Sequence, residues 1–195
     1  MSIKPHSPMS QEEIRNLITS CNNQLKPIVI MALSTGMRIS DILALRWDYV
    51  DLNNGLINLP SMRRYRHEIP LTKTTVRLLK GLTKNKDTPY VFCNPKTGKP
   101  FHDIRRPFMS ACEKAMINDL KFHDLRRTFL NNLYLAGDCS SRGFEIFGFR
   151  IHSPFVRICD LSPDYKVKLM AMLDKLVNGE ATTCELQHSL VLRES

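Results

Sequence analysis

Apolar residues recur along this chain at helical spacing far more often than they alternate. Ile14, Leu17 and Ile18 fall on one face of a helix that opens at Ser10, with Glu13 three positions on, the two halves of a capping box. LKPIVIMALSTG (25–36) is apolar on nearly every side, the pattern of a fully buried helix, and Gly36 supplies its left-handed end. RISDILALRW restarts at once, with Ser40 as the expected N-cap and Ile42, Leu43 and Leu45 as the inner face. LTKTTVRLLKG predicts a helix with Gly81 just past its end. Residues 103–117 predict another, and FHDLRRTFLNNLYLAG (122–137) a third ending at Gly137. A last helix is expected from Ser162 to Val177, with Pro163 in its first turn.

Alternation appears only in the middle. Asn53-Asn54-Gly55 is a turn signal. It leads to LINLP, with Ile57 and Leu59 alternating, and then to RHEIPL, a second strand candidate. SMRRYR between them is a basic hairpin tip, and YVF (90–92) is a short apolar piece before the NPKTGKP turn. The expectation is a mainly α domain with a small antiparallel β-sheet of two or three strands, an α+β arrangement. It spans residues 1–177, followed by a tail at 178–195, without internal repeats.

Composition adds a partner class. An apolar share of 43% over 195 residues is enough for one real core. A net charge of +9 favours a polyanion, nucleic acid being the commonest, against the plain alternative of a basic protein with no such partner. The six cysteines (21, 93, 112, 139, 159, 184) form no C-x-x-C pair and are irregularly spaced. That argues against a zinc site or a disulfide framework, so free thiols in a reducing cytoplasm are expected, with no metal and no cofactor. The N-terminal stretch lacks the apolar run of a signal peptide. IVIMAL (28–33), the longest apolar run, is too short to span a membrane.

Two stretches then stand out: TGMRISDILALRW (35–47) and FHDLRRTF (122–129). In that order they resemble the two arginine motifs of the tyrosine recombinases, the phage integrase family, whose members read T-G-x-R-x-[SD]-E-x-x-x-L-x-W and H-D-L-R-H-[ST]-F. The basic hairpin before EIPLT resembles the family's hairpin before V-P-L. AGD (136–138) matches its A-G, FG (147–148) its L-G-H, and RICDLSP (157–163) its R-Y-x-H-L-S-P. The resemblance covers roughly residues 10–176. It implies the catalytic-domain fold of DNA breaking-rejoining enzymes and double-stranded DNA as partner.

The family breaks a DNA strand by attack of a tyrosine hydroxyl on a backbone phosphate, which concentrates negative charge on the non-bridging oxygens. Arginines suit those oxygens because their planar forks stay charged. The resemblance assigns that role to Arg38 and Arg126. Arg38 is expected just before a helix N-terminus, where the backbone also favours an anion. His123, three residues before Arg126 and on the same helix face, is assigned a hydrogen bond to the phosphate or a proton transfer. Taken singly, each has an ordinary reading: a surface arginine, a helix-start histidine, a solvated charged face beside Arg127. The ordered set favours the functional one.

Three family positions depart. Counting back from Pro70 to the hairpin lysine reaches Met62, whose thioether cannot donate a proton. Arg63 or Arg64 could enter only as a charge stabiliser, since arginine holds its proton too tightly to be a good acid. The phosphate-binding residue after F-G is Phe149, with His152 three residues on as a loop residue. The nucleophile position is Ile158. Cys159 is adjacent, and Tyr165 lies further on inside the expected last helix. Asp41 stands for the family's common glutamate.

The reading is of a degenerate recombinase domain that binds DNA and does not cleave it alone. Phosphate contacts are expected from Arg63, Arg64, Arg66, Lys121, Arg127, Arg150 and Arg157. Most integrases carry a core-binding domain ahead of the catalytic one. Here the catalytic-type pattern starts at Ser10, so the chain is expected to be either a short member or a fragment. Such a domain could occupy recombination sites or pair with an active recombinase. Two alternatives stay open. One is an active recombinase using Tyr165 or a tyrosine supplied in trans through exchange of the C-terminal segment. The other is a non-DNA interaction module or decayed remnant.

Overall fold

The computed structural model of the chain describes residues 7–60, 67–82, 88–95, 97–135, 170–171, 173–175 and 178. Among the described residues, six bounded helices and three strands follow in the order α1 (Gln11–Ser20), α2 (Leu25–Thr35), α3 (Ile39–Leu43), β1 (Val50–Asp51), β2 (Leu56–Leu59), β3 (His67–Pro70), α4 (Lys73–Gly81), α5 (Arg105–Lys114) and α6 (Phe122–Leu135). A single 3-10 turn, Trp47–Tyr49, precedes β1. The mainly helical domain with a small antiparallel sheet is therefore the observed class.

The helix starts follow from local chemistry. The Ser10 hydroxyl accepts from Glu13 N–H at 3.2 Å while the Glu13 carboxylate accepts from Ser10 N–H at 2.7 Å, the reciprocal box expected from the sequence. Asn22 caps α2 from outside, its Oδ1 accepting the N–H of Leu25 at 2.8 Å. Gly36 ends α2 at φ +61° and sends its N–H to the Ala32 carbonyl. From that left-handed residue the chain is extended only as far as Arg38. Arg38, not Ser40, is thus the residue before α3. The Ser40 hydroxyl sits inside the helix and donates to Asp41 Oδ1 at 3.3 Å.

Two further ends differ from expectation. Gly81 is the last residue of α4 rather than the one after it. α5 is shorter than 103–117 at both ends. Asp103 accepts the Arg105 N–H at 2.8 Å and fixes the start. At the other end Met116 takes φ +57° and Ile117 N–H reaches back to the Cys112 carbonyl, a left-handed cap without a glycine. Gly137 and most of the expected last helix lie outside the described residues; the described positions between Met170 and Asn178 are helical.

The sheet has order β1-β2-β3, antiparallel throughout, with Val50 opposite Ile57 and Ile57 opposite Ile69. Asp51 builds the turn into β2 by accepting the N–H groups of Asn53 and Asn54, both at 3.0 Å, and Gly55 completes it at φ +64°. Pro70 is tolerated because β3 is an edge strand.

α2 runs through the centre of the core. Ile28, Val29, Met31 and Leu33 are buried, and α6 lies against it through Leu125 and Phe129, both fully buried. α1 packs on α2 and α5, and α4 packs on α2 beside the sheet. Burying side chains of this size is worth roughly 1.5–3 kcal/mol each. The α2–α6 contact matters most for function, because it brings the turn after α2 beside the first turns of α6.

Candidate functional site

α2 must end with carbonyls that no helical N–H can reach. One of the groups there, the Gly36 carbonyl, is met by α6: Arg126 Nη1 donates to it. A cation at a helix C-terminus also suits the local dipole. Arg126 is thereby fixed one turn from His123 and beside the Gly36–Arg38 turn. A pocket of about 170 Å³ lies there, lined by Met37, Arg38, Ile39 and Ser40 on one side and Phe122, His123 and Arg126 on the other. Arg38, His123 and Arg126, distant in sequence, share this one concavity.

Its electrostatics are strained in one direction. Burial pushes the Arg126 guanidinium down to about 10, the nearby Arg38 charge adds to that, and Asp41 opposes it. The group stays charged at neutral pH. Two guanidiniums close enough to repel make a site that an anion would relieve. α3 has only five residues, so its backbone contributes little, and the guanidiniums carry the positive field.

The start of α6 is set by a carboxylate that the sequence reading passed over. Asp124, almost fully buried, accepts the Lys121 N–H at 2.9 Å. Its signal is an acidic residue three positions into a helix, half of a capping box. Phe122 packs edge-on against Phe108 with ring centroids 5.2 Å apart and anchors the pocket's floor to α5. The Gly36 carbonyl was missed as well, since no side-chain pattern reveals it.

Of the expected DNA contacts, two are described. The Lys121 side chain is exposed beside His123. Arg127 is half-exposed and stands 3.8 Å from Asp124, a long and weak pair. Arg63, Arg64, Arg66, Arg150 and Arg157 lie outside the described residues, as do Met62, Phe149, His152, Ile158, Cys159 and Tyr165. Cys21, Cys93 and Cys112 are free thiols. Among the described residues no three His, Cys, Asp or Glu side chains are grouped to hold a metal ion, and no helix is long and apolar enough to cross a membrane.

The chain is similar to known proteins. The Integrase of Salmonella phage P22 is 29% identical over 189 residues, covering 89% of this chain and 47% of its own length. The Shufflon-specific DNA recombinase of Escherichia coli is 31% identical over 117 residues, covering 60% of this chain and 29% of its own. The chain thus spans about half or less of the length of these relatives. Among solved structures, XerA recombinase superposes with a TM-score of 0.64 at 19% identity, over 92% of this chain and 65% of that one. A lambda integrase (75–356) dimer bound to a COC′ core site gives 0.60 at 15% identity, over 81% and 64%. At those identities the structures establish the fold. The phage integrase family pattern itself matches residues 8–140, more than half of the chain. With both arginine motifs inside that match, this chain belongs to the phage integrase family.

Proposed function

We propose that this chain binds double-stranded DNA through the Arg38, His123 and Arg126 pocket and does not cut DNA by itself. The observation that carries the reading is the pairing of Arg38 and Arg126 at one pocket, at the cost of their mutual repulsion. A backbone phosphate would add negative charge that eases this repulsion. Arg126 and Arg38 would hold its non-bridging oxygens, and His123 at the rim would donate a hydrogen bond. Lys121 and Arg127 flank the pocket and extend the contact to neighbouring phosphates.

The names of the relatives support DNA as the partner, one being an integrase and the other a DNA recombinase. A lambda integrase of similar fold is seen bound to a core site, which also supports DNA as the partner. The absence of cleavage rests on residue identity: Ile158, Phe149 and Met62 stand where the family resemblance calls for a nucleophile, a phosphate donor and a proton donor. In this reading residues 1–177 form the domain and 178–195 a tail. The Thr74–Asn178 hydrogen bond, at 2.9 Å, sits at that boundary. Occupying a recombination site, alone or beside an active recombinase, is the role this leaves.

The test is incubation with a pool of nicked suicide duplexes of randomised sequence, followed by denaturing electrophoresis. No covalent adduct is expected. An adduct mapped to Tyr165, or to another tyrosine of this chain, would refute the non-cleaving assignment. Binding to intact duplex should fall steeply with salt, the log-log slope being about −0.9 per neutralised phosphate. A slope near zero at all salt concentrations would remove DNA as the partner.

A further inference from the structure

Four of the eight buried polar residues among the described residues fall in one place. Ser34, Thr35, Thr72 and Thr75 are all fully buried, and they meet where the last turn of α2 crosses the first turn of α4. Thr75 N–H donates to the Thr72 hydroxyl at 3.1 Å. Thr72 and Thr75 hydroxyls are 2.9 Å apart, Thr75 Oγ1 donates to Ser34 Oγ at 2.9 Å, and Ser34 Oγ reaches the Met31 carbonyl at 3.4 Å. Each hydroxyl has one proton to give, and the order Thr72 to Thr75 to Ser34 to Met31 uses each once. From the same carbonyl Thr35 continues toward the site. Its hydroxyl donates to Met31 at 2.6 Å and accepts the Met37 N–H at 3.3 Å.

We infer that Ser34 and Thr75 are positioning residues for the arginine pocket: their hydroxyl pair fixes α2 against α4, and so sets where the Gly36 carbonyl holds Arg126 and where Arg38 begins. The inference rests on the phosphate-binding reading of that pocket. Stability alone does not account for the chain of hydroxyls. A satisfied buried hydroxyl pair is close to neutral against apolar groups of the same shape, and apolar packing already joins α2 to α4. What apolar side chains do poorly is fix rotation and axial register. Ser34 is two residues before Gly36, so a small turn of α2 about its axis swings the carbonyl that anchors Arg126. Misplacement by about 1 Å at a reacting or binding group can cost two orders of magnitude.

The test uses the full chain carrying Thr75→Val, with Thr75→Ser as the conservative rescue. Side-chain NMR of Arg126 and amide hydrogen exchange are the readouts. In Thr75→Val the Arg126 Nε–H signal should move toward that of free arginine, and the Gly36 and Met37 amides should exchange about five- to tenfold faster. The Val29 amide should keep its wild-type rate, and Thr75→Ser should restore all of these. Ser34→Ala should reproduce the pattern from the other side, and it decides the matter if Thr75→Val does not fold. Unchanged Arg126 and Gly36 signals would overturn the inference. So would a uniform quickening along α2, which marks general loosening. DNA affinity supplies the second arm: Thr75→Val should weaken it in the wild-type background and add nothing in an Arg126→Met background. If the wild-type chain does not bind DNA, the phosphate reading fails while the NMR arm still decides the positioning role.

Discussion

Replacing Arg126 by methionine should separate stability from DNA binding. The change keeps most of the aliphatic volume and removes the charge. It deletes the bond to the Gly36 carbonyl; a hydrogen bond from a charged donor is worth about 1.5–3 kcal/mol. It also removes a penalty. The guanidinium is held down to about 10 by burial and by Arg38, against the help of Asp41. Such a shift corresponds to roughly 3 kcal/mol if undiluted, and the group's partial exposure to solvent reduces that to about 1–2 kcal/mol. The two effects nearly cancel, so stability should change by no more than about 1 kcal/mol, or about 2–4 °C in Tm. Affinity for duplex DNA should instead fall about ten- to a hundredfold, with the log-log salt slope shallower by about 0.9. Fluorescence anisotropy from 50 to 200 mM salt, beside urea unfolding, reads both. The alkaline limb adds a sign. A cation whose folded pKa is depressed binds its proton less tightly when folded. The unfolded chain then holds more protons between about 10 and the ordinary arginine range, and wild type should gain on the variant as pH rises through that window. A variant destabilised by more than about 3 kcal/mol would show that Arg126 is mainly a structural strut. Unchanged affinity and slope would show that it meets no phosphate.

Three further outcomes are expected. Phe129, fully buried between α6 and α2, should cost about 3–5 kcal/mol when changed to alanine, read as a lower urea midpoint with the slope preserved. Met116→Gly should stabilise by roughly 0.5–1 kcal/mol in thermal unfolding, because the site is exposed and its φ of +57° suits glycine; a loss would mean the methionine makes a contact worth more than its strain. Burial pushes the Cys21 and Cys112 thiols up to about 11. At pH 8 only about one in a thousand is then thiolate, so iodoacetamide should label them slowly and about tenfold faster per pH unit up to pH 10. Rapid labelling at pH 8, located by peptide mapping, would contradict this.

The sequence is legible where one residue type has one physical use. An apolar run with no polar face can only be buried, and α2 is the centre of the core. Serine followed at three residues by glutamate has a local reason to start a helix, and α1 starts there. Legibility fails where backbone geometry decides. Ser40 has the right side chain for a cap, but the chain has already turned helical at Ile39, one step after the extended Arg38. Met116 gives no sign of a left-handed cap because the residue that favours that conformation is absent. Contacts across long separations are the least visible. Ser34 and Thr75 look like ordinary helix residues until α2 and α4 are packed, and the Gly36 carbonyl has no side chain to announce it.

The same asymmetry divides the two halves of the functional proposal. Granting a chemistry needs geometry: Arg38 and Arg126 mean little as letters 88 positions apart, and their role gains weight only when α2 and α6 bring them to one pocket. Denying a chemistry needs only identity. An isoleucine has no nucleophilic atom in any conformation, and a thioether has no proton to donate. Where the family resemblance assigns Ile158 and Met62 to the nucleophile and proton donor, their identity counts against the family's reaction, while Tyr165 would restore it only if its hydroxyl reached a phosphate at the proposed site. Covalent capture of DNA asks that one question. A phosphate bound and never attacked is what the proposed function expects, because the family resemblance assigns the nucleophile position to Ile158.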